Sequence, residues 1–250
     1  MSENEPAYTD RRRAEAFGRA AENYDRYRPR YPQALIAGLI GPAGMRVLDV
    51  GAGTGIASRQ LRDAGAEVLA VEPDPRMARV AARHGLRVEQ ATFEDWEPAD
   101  RSFDLVVFAQ SFHWVSPGPA LEKVRPMLRP SGHLVLLSNR VSPLAPARAQ
   151  LEEAYHGYLS RSQRPPIDAA RDRGLLAMIE SHGYTIERRD AAEELTYTRD
   201  DLVNMVLTHS NVLTLDEESR SGLRARMERS IASSCVPARN EATAVIATPH

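Results

Sequence analysis

Val47-Leu48-Asp49-Val50-Gly51-Ala52-Gly53-Thr54-Gly55 is the stretch on which the fold reading turns. An aliphatic run with the character of a buried strand meets three alternating glycines, and residues 55–64 beyond them have helical character. Glycine lets the backbone turn tightly and approach a ligand closely, while the first turn of a helix offers unpaired N–H groups to an anion or a polar cofactor. Outward from this point, short β-branched or aliphatic runs recur at 46–50, 67–71, 86–89, 104–109 and 133–138. Helical candidates separate them at 55–64, 75–84 and 119–128. In the last of these, Ala120, Leu121, Val124, Met127 and Leu128 approximate a 3.6-residue stripe. Pro75 suits a first helical turn, and Gly65 and Gly85 suit helix stops. Strands alternating with helices of this length imply right-handed βαβ units and a parallel sheet.

The chain has 250 residues, 42% of them hydrophobic, with 32 Lys and Arg against 34 Asp and Glu for a formal charge of −2. That length suits one large domain with a full core. Near-neutral charge without a basic tail argues against a protein built to hold nucleic acid. Cys235 is the only cysteine, so neither an intramolecular disulfide nor a cysteine-based zinc site forms, and a reducing, cytoplasmic setting is expected. The first 13 residues lack the apolar core of a signal peptide, and no run approaches the roughly 20 apolar residues of a membrane span. Lys123 is the only lysine among the 32 basic residues, a skew read as base composition rather than function.

The second strand supplies what the glycines alone do not. It ends in Glu72, 21 positions past Gly51, followed by Pro73-Asp74-Pro75. An acid at the carboxyl end of that strand accepts the ribose hydroxyls of an adenosine in dinucleotide folds. The spacing here is G-x-G-x-G rather than the dinucleotide G-x-G-x-x-G, and the GK[ST] of a phosphate-binding P-loop is absent.

These residues resemble the class I S-adenosylmethionine-dependent methyltransferases, and the likeness extends over roughly residues 14–248 by motif matching. Closer still is the small-molecule, type 11-like branch with an N-terminal F-x3-A-x2-Y-D-x2-R-P-x-Y-P block, here Phe17, Ala21, Tyr24, Asp25, Arg28, Pro29, Tyr31 and Pro32. Gln110-Ser111-Phe112-His113-Trp114 after the fourth strand and Leu128-Arg129-Pro130-Ser131-Gly132 before the fifth also match. Ser131 stands where the branch usually has glycine. The resemblance implies an α/β, Rossmann-like doubly wound sheet, mainly parallel, of about seven strands with the last antiparallel. One domain is expected over 1–250, with an N-terminal helical cap at 11–40 and a cofactor-binding core at 41–140. Lid helices and the last two strands would occupy 141–250, with strands near 184–189 and 242–247 and helices near 148–160, 169–182, 199–209 and 216–234.

It further implies S-adenosyl-L-methionine as cofactor, S-adenosyl-L-homocysteine as product, and methyl transfer to an O, N or C atom of a small metabolite. Asp49, Gly51, Ala52, Gly53 and Gly55 would face the methionine part, Glu72 and Pro73 the ribose, and Thr92, Phe93 and Glu94 the adenine. Gln110 and Ser111 complete this set, although an aromatic such as Phe93 after a strand also serves plain packing. Tyr24 and Arg28 would close over the cofactor, since Arg pairs bidentately with a carboxylate. Tyr31, Trp114 and Tyr24 would line the acceptor pocket. His113 is the first candidate for a general base and His209, in Thr208-His209-Ser210-Asn211, the second. The histidine spacing suggests no metal cluster. A monomer or homodimer without nucleic-acid or membrane partners is expected. The alternative is a fold relative that binds the cofactor but catalyses another reaction or serves as a binding module. A nicotinamide oxidoreductase is disfavoured by the glycine spacing, and a nucleic-acid methyltransferase by the missing Asn/Asp-Pro-Pro-aromatic tetrad.

Overall fold

A computed structural model describes residues 18–41, 43–159 and 169–250. Phe17 and the first residues of the expected 11–40 helical cap lie outside the described residues. Seven strands form one sheet: β1 Arg46–Val50, β2 Glu67–Val71, β3 Arg87–Glu89, β4 Phe103–Ala109, β5 Leu128–Pro143, β6 Tyr184–Thr198 and β7 Cys235–Pro249. Their order is β3-β2-β1-β4-β5-β7-β6. β1 pairs in parallel with β2 on one side and β4 on the other, so the strand order reverses beside β1 and opens a crevice at its carboxyl end. β7 is antiparallel to both β5 and β6.

Alternation along the central strands divides their side chains between two buried layers. Leu48 and Val50 of β1, Val106 and Phe108 of β4 and Leu134 and Leu136 of β5 face one layer. There they pack on α5 (Pro117–Val124) and α7 (Arg173–Ser181). Val47, Leu105, Val107, Val135 and Leu137 face the other, against α2 (Gln33–Ala37) and α3 (Ile56–Asp63). A third cluster joins α6 (Ala147–Ala154), α8 (Arg199–Val206), α9 (Ser210–Leu213) and α10 (Glu217–Ser230) to Val236 of β7. α1 (Ala21–Tyr27) rests Ala21 and Tyr24 on Met77 and Val80 of α4 (Pro75–Arg83).

The fold class and the positions of the first four strands match the sequence reading. The last three strands run longer than the expected 133–138, 184–189 and 242–247. The added residues include Pro130, Gly132 and Pro143 in β5, Asp190, Glu193 and Glu194 in β6, and Pro237, Arg239 and Glu241 in β7, which interrupt a strand pattern, yet the backbone ladder continues, for example Glu193↔Asn240 and Thr198↔Cys235. Helix ends also move. The expected 169–182 helix is a 3-10 turn, Ala169–Arg171, and then α7, because Asp172 caps the new helix by accepting from the N–H groups of Gly174 and Leu175. The expected 119–128 helix begins at Pro117 and gives way to the 3-10 turn Arg125–Met127. The expected 199–209 helix breaks at Leu207 into α8 and α9.

Candidate functional site

The turn after β1 carries Gly51, Gly53 and Gly55 at φ of +66°, +59° and +82°, left-handed conformations that favour glycine. The first and last are needed for close packing as well. A Cβ at Gly51 would stand 2.7 Å from that of Ser111, and one at Gly55 would stand 2.3 Å from a Leu86 methyl. Gly53 has open space where its Cβ would be, and its N–H donates to Glu72 Oε2 at 2.7 Å. The Asp74 N–H donates to Glu72 Oε1 at 2.9 Å. Burial nevertheless raises the Glu72 carboxyl to about 7, helped by the neighbouring Asp74 and Asp49. Asp49, fully buried beneath the turn, accepts from the Ser58 hydroxyl at 2.6 Å, and burial lifts it to about 6. Its Oδ1 has no hydrogen-bond partner.

At the end of β3, Thr92 Oγ1 donates to Asp95 Oδ2 and accepts the Asp95 N–H, fixing an exposed turn. Phe93 is buried, edge-on to Phe108 with centroids 5.4 Å apart, so it serves the core while also lining the crevice. Lys123 holds this loop by donating to the carbonyls of Phe93, Glu94 and Trp96 at 2.7, 2.9 and 2.6 Å. After β4 the chain turns through Gln110 at φ +56°, whose Nε2 donates to the Asn139 carbonyl. The Ser111 hydroxyl donates to the Val50 carbonyl, tying this turn to the glycine turn. Phe112–Trp114 form a 3-10 turn with Phe112 in the core and the rings of His113 and Trp114 4.9 Å apart.

α1 and the segment after it form the opposite wall. The Arg28 guanidinium lies 4.8 Å over the Tyr24 ring and donates from Nη2 to the Thr208 carbonyl, while its buried Nε has no partner. Tyr31 is buried, and its phenol is pushed well above its ordinary value by that burial. Asn139 and Asn240 each donate from Nδ2 to the Arg30 carbonyl, at 2.9 and 3.0 Å, anchoring the segment to the sheet. Asp25 binds Arg59 of α3 and His84 beyond α4, which pins α1 to the core. His209 is held to about 3 by burial and by the nearby Arg28 charge, so it is neutral at physiological pH.

Tyr24, Arg28, Tyr31, Gly51, Ala52, Gly53, Glu72, Pro73, Thr92, Phe93, Glu94, Gln110, Ser111, His113, Trp114 and His209 all line a single cavity of about 1570 Å³. Asp49 and Gly55 stand back from its wall: the Asp49 side chain turns toward Ser58, and Gly55 packs on Leu86. The sequence reading missed Lys123, Asn139 and Asn240. Each acts through backbone carbonyls that only the fold brings within reach, so no motif marks them. Among the described residues, no group of three or more His, Cys, Asp or Glu is placed to hold a metal ion. Nor, among these residues, is any helix long and apolar enough to cross a membrane.

The methyltransferase-domain family matches residues 24–216. An uncharacterized methyltransferase of Mycobacterium tuberculosis is 42% identical over 126 residues, covering 50% of this chain and 52% of that protein. A malonyl-[acyl-carrier protein] O-methyltransferase of Enterobacter lignolyticus is 35% identical over 159 residues, covering 59% and 63%. The chain thus matches about half of the length of the first of these relatives and somewhat more of the second. A solved structure described as a candidate type II methyltransferase from Anaeromyxobacter dehalogenans shares the fold, with a TM-score of 0.68 and 24% identity over 89% of this chain and 98% of that one. With the family match spanning most of the chain and the glycine turn and acid in place, the chain belongs to the class I S-adenosylmethionine-dependent methyltransferases.

Proposed function

We propose that the protein transfers a methyl group from S-adenosylmethionine to an O, N or C atom of a small metabolite, acting in the cytoplasm. The observation that carries this reading is the single cavity uniting the glycine turn, Glu72, the β3 and β4 ends and the α1 wall. At about 1570 Å³ it exceeds the roughly 300–1,000 Å³ of an ordinary ligand site, leaving room for cofactor and acceptor side by side. One orphaned polar atom supports the fit of the cofactor: the buried Nε of Arg28, a residue that lines the cavity, is a donor suited to a carboxylate.

In this reading Glu72 accepts the ribose hydroxyls with the lone pairs left beyond its two backbone bonds. Arg28 holds the methionine carboxylate, and Tyr24, stacked under that guanidinium, excludes water. When bound, the cofactor supplies an electrophilic methyl on a positively charged sulfur. Transfer disperses that charge, so alignment and desolvation by the walls carry most of the catalysis. His113 accepts the acceptor's proton where the acceptor is a hydroxyl or a protonated amine. His209, too weak a base for that task, is a neutral wall residue. The lid formed by α6 and α8–α10 sets acceptor choice on a constant scaffold.

The test is binding followed by turnover. S-adenosylhomocysteine at about 100 times its Kd should stabilise the protein by roughly 2.7 kcal/mol, whereas NAD should not shift unfolding. Methyl transfer to members of a small-molecule acceptor panel should then fall in His113→Ala at unchanged S-adenosylhomocysteine affinity. Stabilisation by NAD alone would refute the cofactor assignment. Binding of S-adenosylhomocysteine with hydrolysis or another reaction of S-adenosylmethionine in place of transfer would refute the methylating one.

A further inference from the structure

We infer that the protein pairs with a second copy of itself through the outer edge of β6, in an antiparallel two-fold arrangement centred on Ala191. β6 ends the sheet, with β7 as its only strand neighbour among the described residues. A free edge presents a row of unpaired backbone groups, and a 15-residue one is long against the usual five or six. Such an edge is ordinarily blunted by charge, and β6 is charged: its middle reads Arg188-Arg189-Asp190-Ala191-Ala192-Glu193-Glu194. That series is complementary to its own reverse.

A two-fold axis perpendicular to a sheet keeps each side chain on its own face. Directly opposed residues must therefore share parity, and only centres on a residue are allowed. With the axis at Ala191, Arg188 faces Glu194 of the second copy on one face and Arg189 faces its Glu193 on the other. Symmetry repeats both pairs, so four opposite-charge pairs form with no like-charge pair. Moving the axis one residue back opposes Asp190 to itself and Glu187 to Glu193, while moving it one forward opposes Asp190 to Glu194. Charge thus selects one register. Ala191 is also the midpoint of Tyr184–Thr198, so this register overlaps the two strands along their whole length. Alanine at 191 and 192 places small side chains at the axis.

Within one chain, Arg188 pairs with Asp190 and Arg189 with Glu187, and Arg189 also donates to the Gly38 carbonyl. Glu193 accepts from Asn240, and no ion pair joins Glu193 or Glu194 to a cation among the described residues. A guanidinium has five donors, so both arginines can serve an intrachain and an intermolecular carboxylate together. The edge is therefore guarded against other strands yet open to its own copy.

Sedimentation equilibrium on the full chain tests this directly, independently of cofactor and acceptor. The wild type is expected at twice the chain mass in the tens-of-micromolar range. Arg188→Glu/Arg189→Glu and Glu193→Arg/Glu194→Arg should each be monomeric, with the dimer Kd raised at least tenfold. Mixed one to one, they should form a heterodimer, and the mixing also controls for folding because a misfolded variant would not be rescued. Because Glu193 accepts from Asn240, which also holds the Arg30 carbonyl of the site's wall, S-adenosylhomocysteine binding by each variant verifies that the wall is intact. A wild type that stays monomeric, double variants that still self-associate, or intact variants that fail to pair when mixed would each overturn the inference.

Discussion

The backbone N–H of Gly53 donates to Oε2 of Glu72 at 2.7 Å, so the turn after β1 and the acid after β2 form one hydrogen-bonded unit. The carboxylate orders the turn, and the turn's N–H in turn favours the charged form of a carboxyl that burial holds at about 7. The same group is then set to answer a ligand's hydroxyls.

Cofactor affinity should accordingly depend on pH. In the proposed role, ribose hydroxyls donate to the carboxylate, so binding favours the anion. Above about pH 7 the free protein is already in that form, and as pH falls below it affinity should drop toward a limiting slope of about tenfold per unit. Titration calorimetry with S-adenosylhomocysteine between about pH 6 and 8.5 measures it. Glu72→Gln should bind weakly and lose this dependence; an unchanged affinity in that variant would remove the ribose role.

Asp49 is expected to limit the stability of the ligand-free protein. Its carboxyl lies near 3.8 in an unfolded chain and at about 6 in the native one, so the native state holds the proton more tightly. Its contribution to stability therefore falls as pH rises from about 4 to 6 and stays low above that. Asp49→Asn keeps an acceptor for Ser58 and removes the buried charge. It should raise the unfolding free energy at pH 8 by on the order of 1–3 kcal/mol and have little effect at pH 4. Urea unfolding at the two pH values provides the comparison.

Two glycines of one turn should respond differently. Gly55→Ala places a methyl into Leu86 and Ala81 at a positive φ, and should cost about 2–4 kcal/mol of stability. Gly53→Ala meets nothing within 4 Å and should cost only about 1–2 kcal/mol for its left-handed backbone. Its methyl enters the cavity wall, so it should lose S-adenosylhomocysteine affinity at least tenfold. Thermal unfolding and calorimetry on both variants separate the two roles.

His209 should contribute no titration to catalysis. Held at about 3, it is uncharged across the range in which an ordinary histidine titrates. His209→Gln should leave the shape of the pH–rate profile unchanged between about pH 5.5 and 8.5, whatever it does to the rate. A limb lost from that range in the variant would show that His209 titrates during turnover.

Much of this site was legible along the chain because its residues sit where strands end. Gly51, Glu72, Thr92 and Gln110 each follow an aliphatic run, and a parallel sheet gathers the carboxyl ends of such runs at one edge. The outer halves of β5, β6 and β7 were not legible, since Pro143, Pro237 and the acids Asp190, Glu193 and Glu194 interrupt a strand pattern and only the β5–β7–β6 ladder carries the strands through them.

By itself the sequence determined the class of fold and pointed to an adenosine-bearing cofactor through local patterns, namely strand-length aliphatic runs, a glycine turn and an acid 21 positions on, and the family resemblance then implied S-adenosylmethionine. Tertiary structure decided what each residue does once there. Asp49 and Gly55 belong to the motif yet stand behind the cavity wall. Phe93 turns edge-on to Phe108, and Lys123, with nothing around it to mark it, holds three carbonyls some 30 positions away. Direction, burial and long-range partners arise only when distant segments pack, because hydrogen bonds and desolvation depend on neighbours in space.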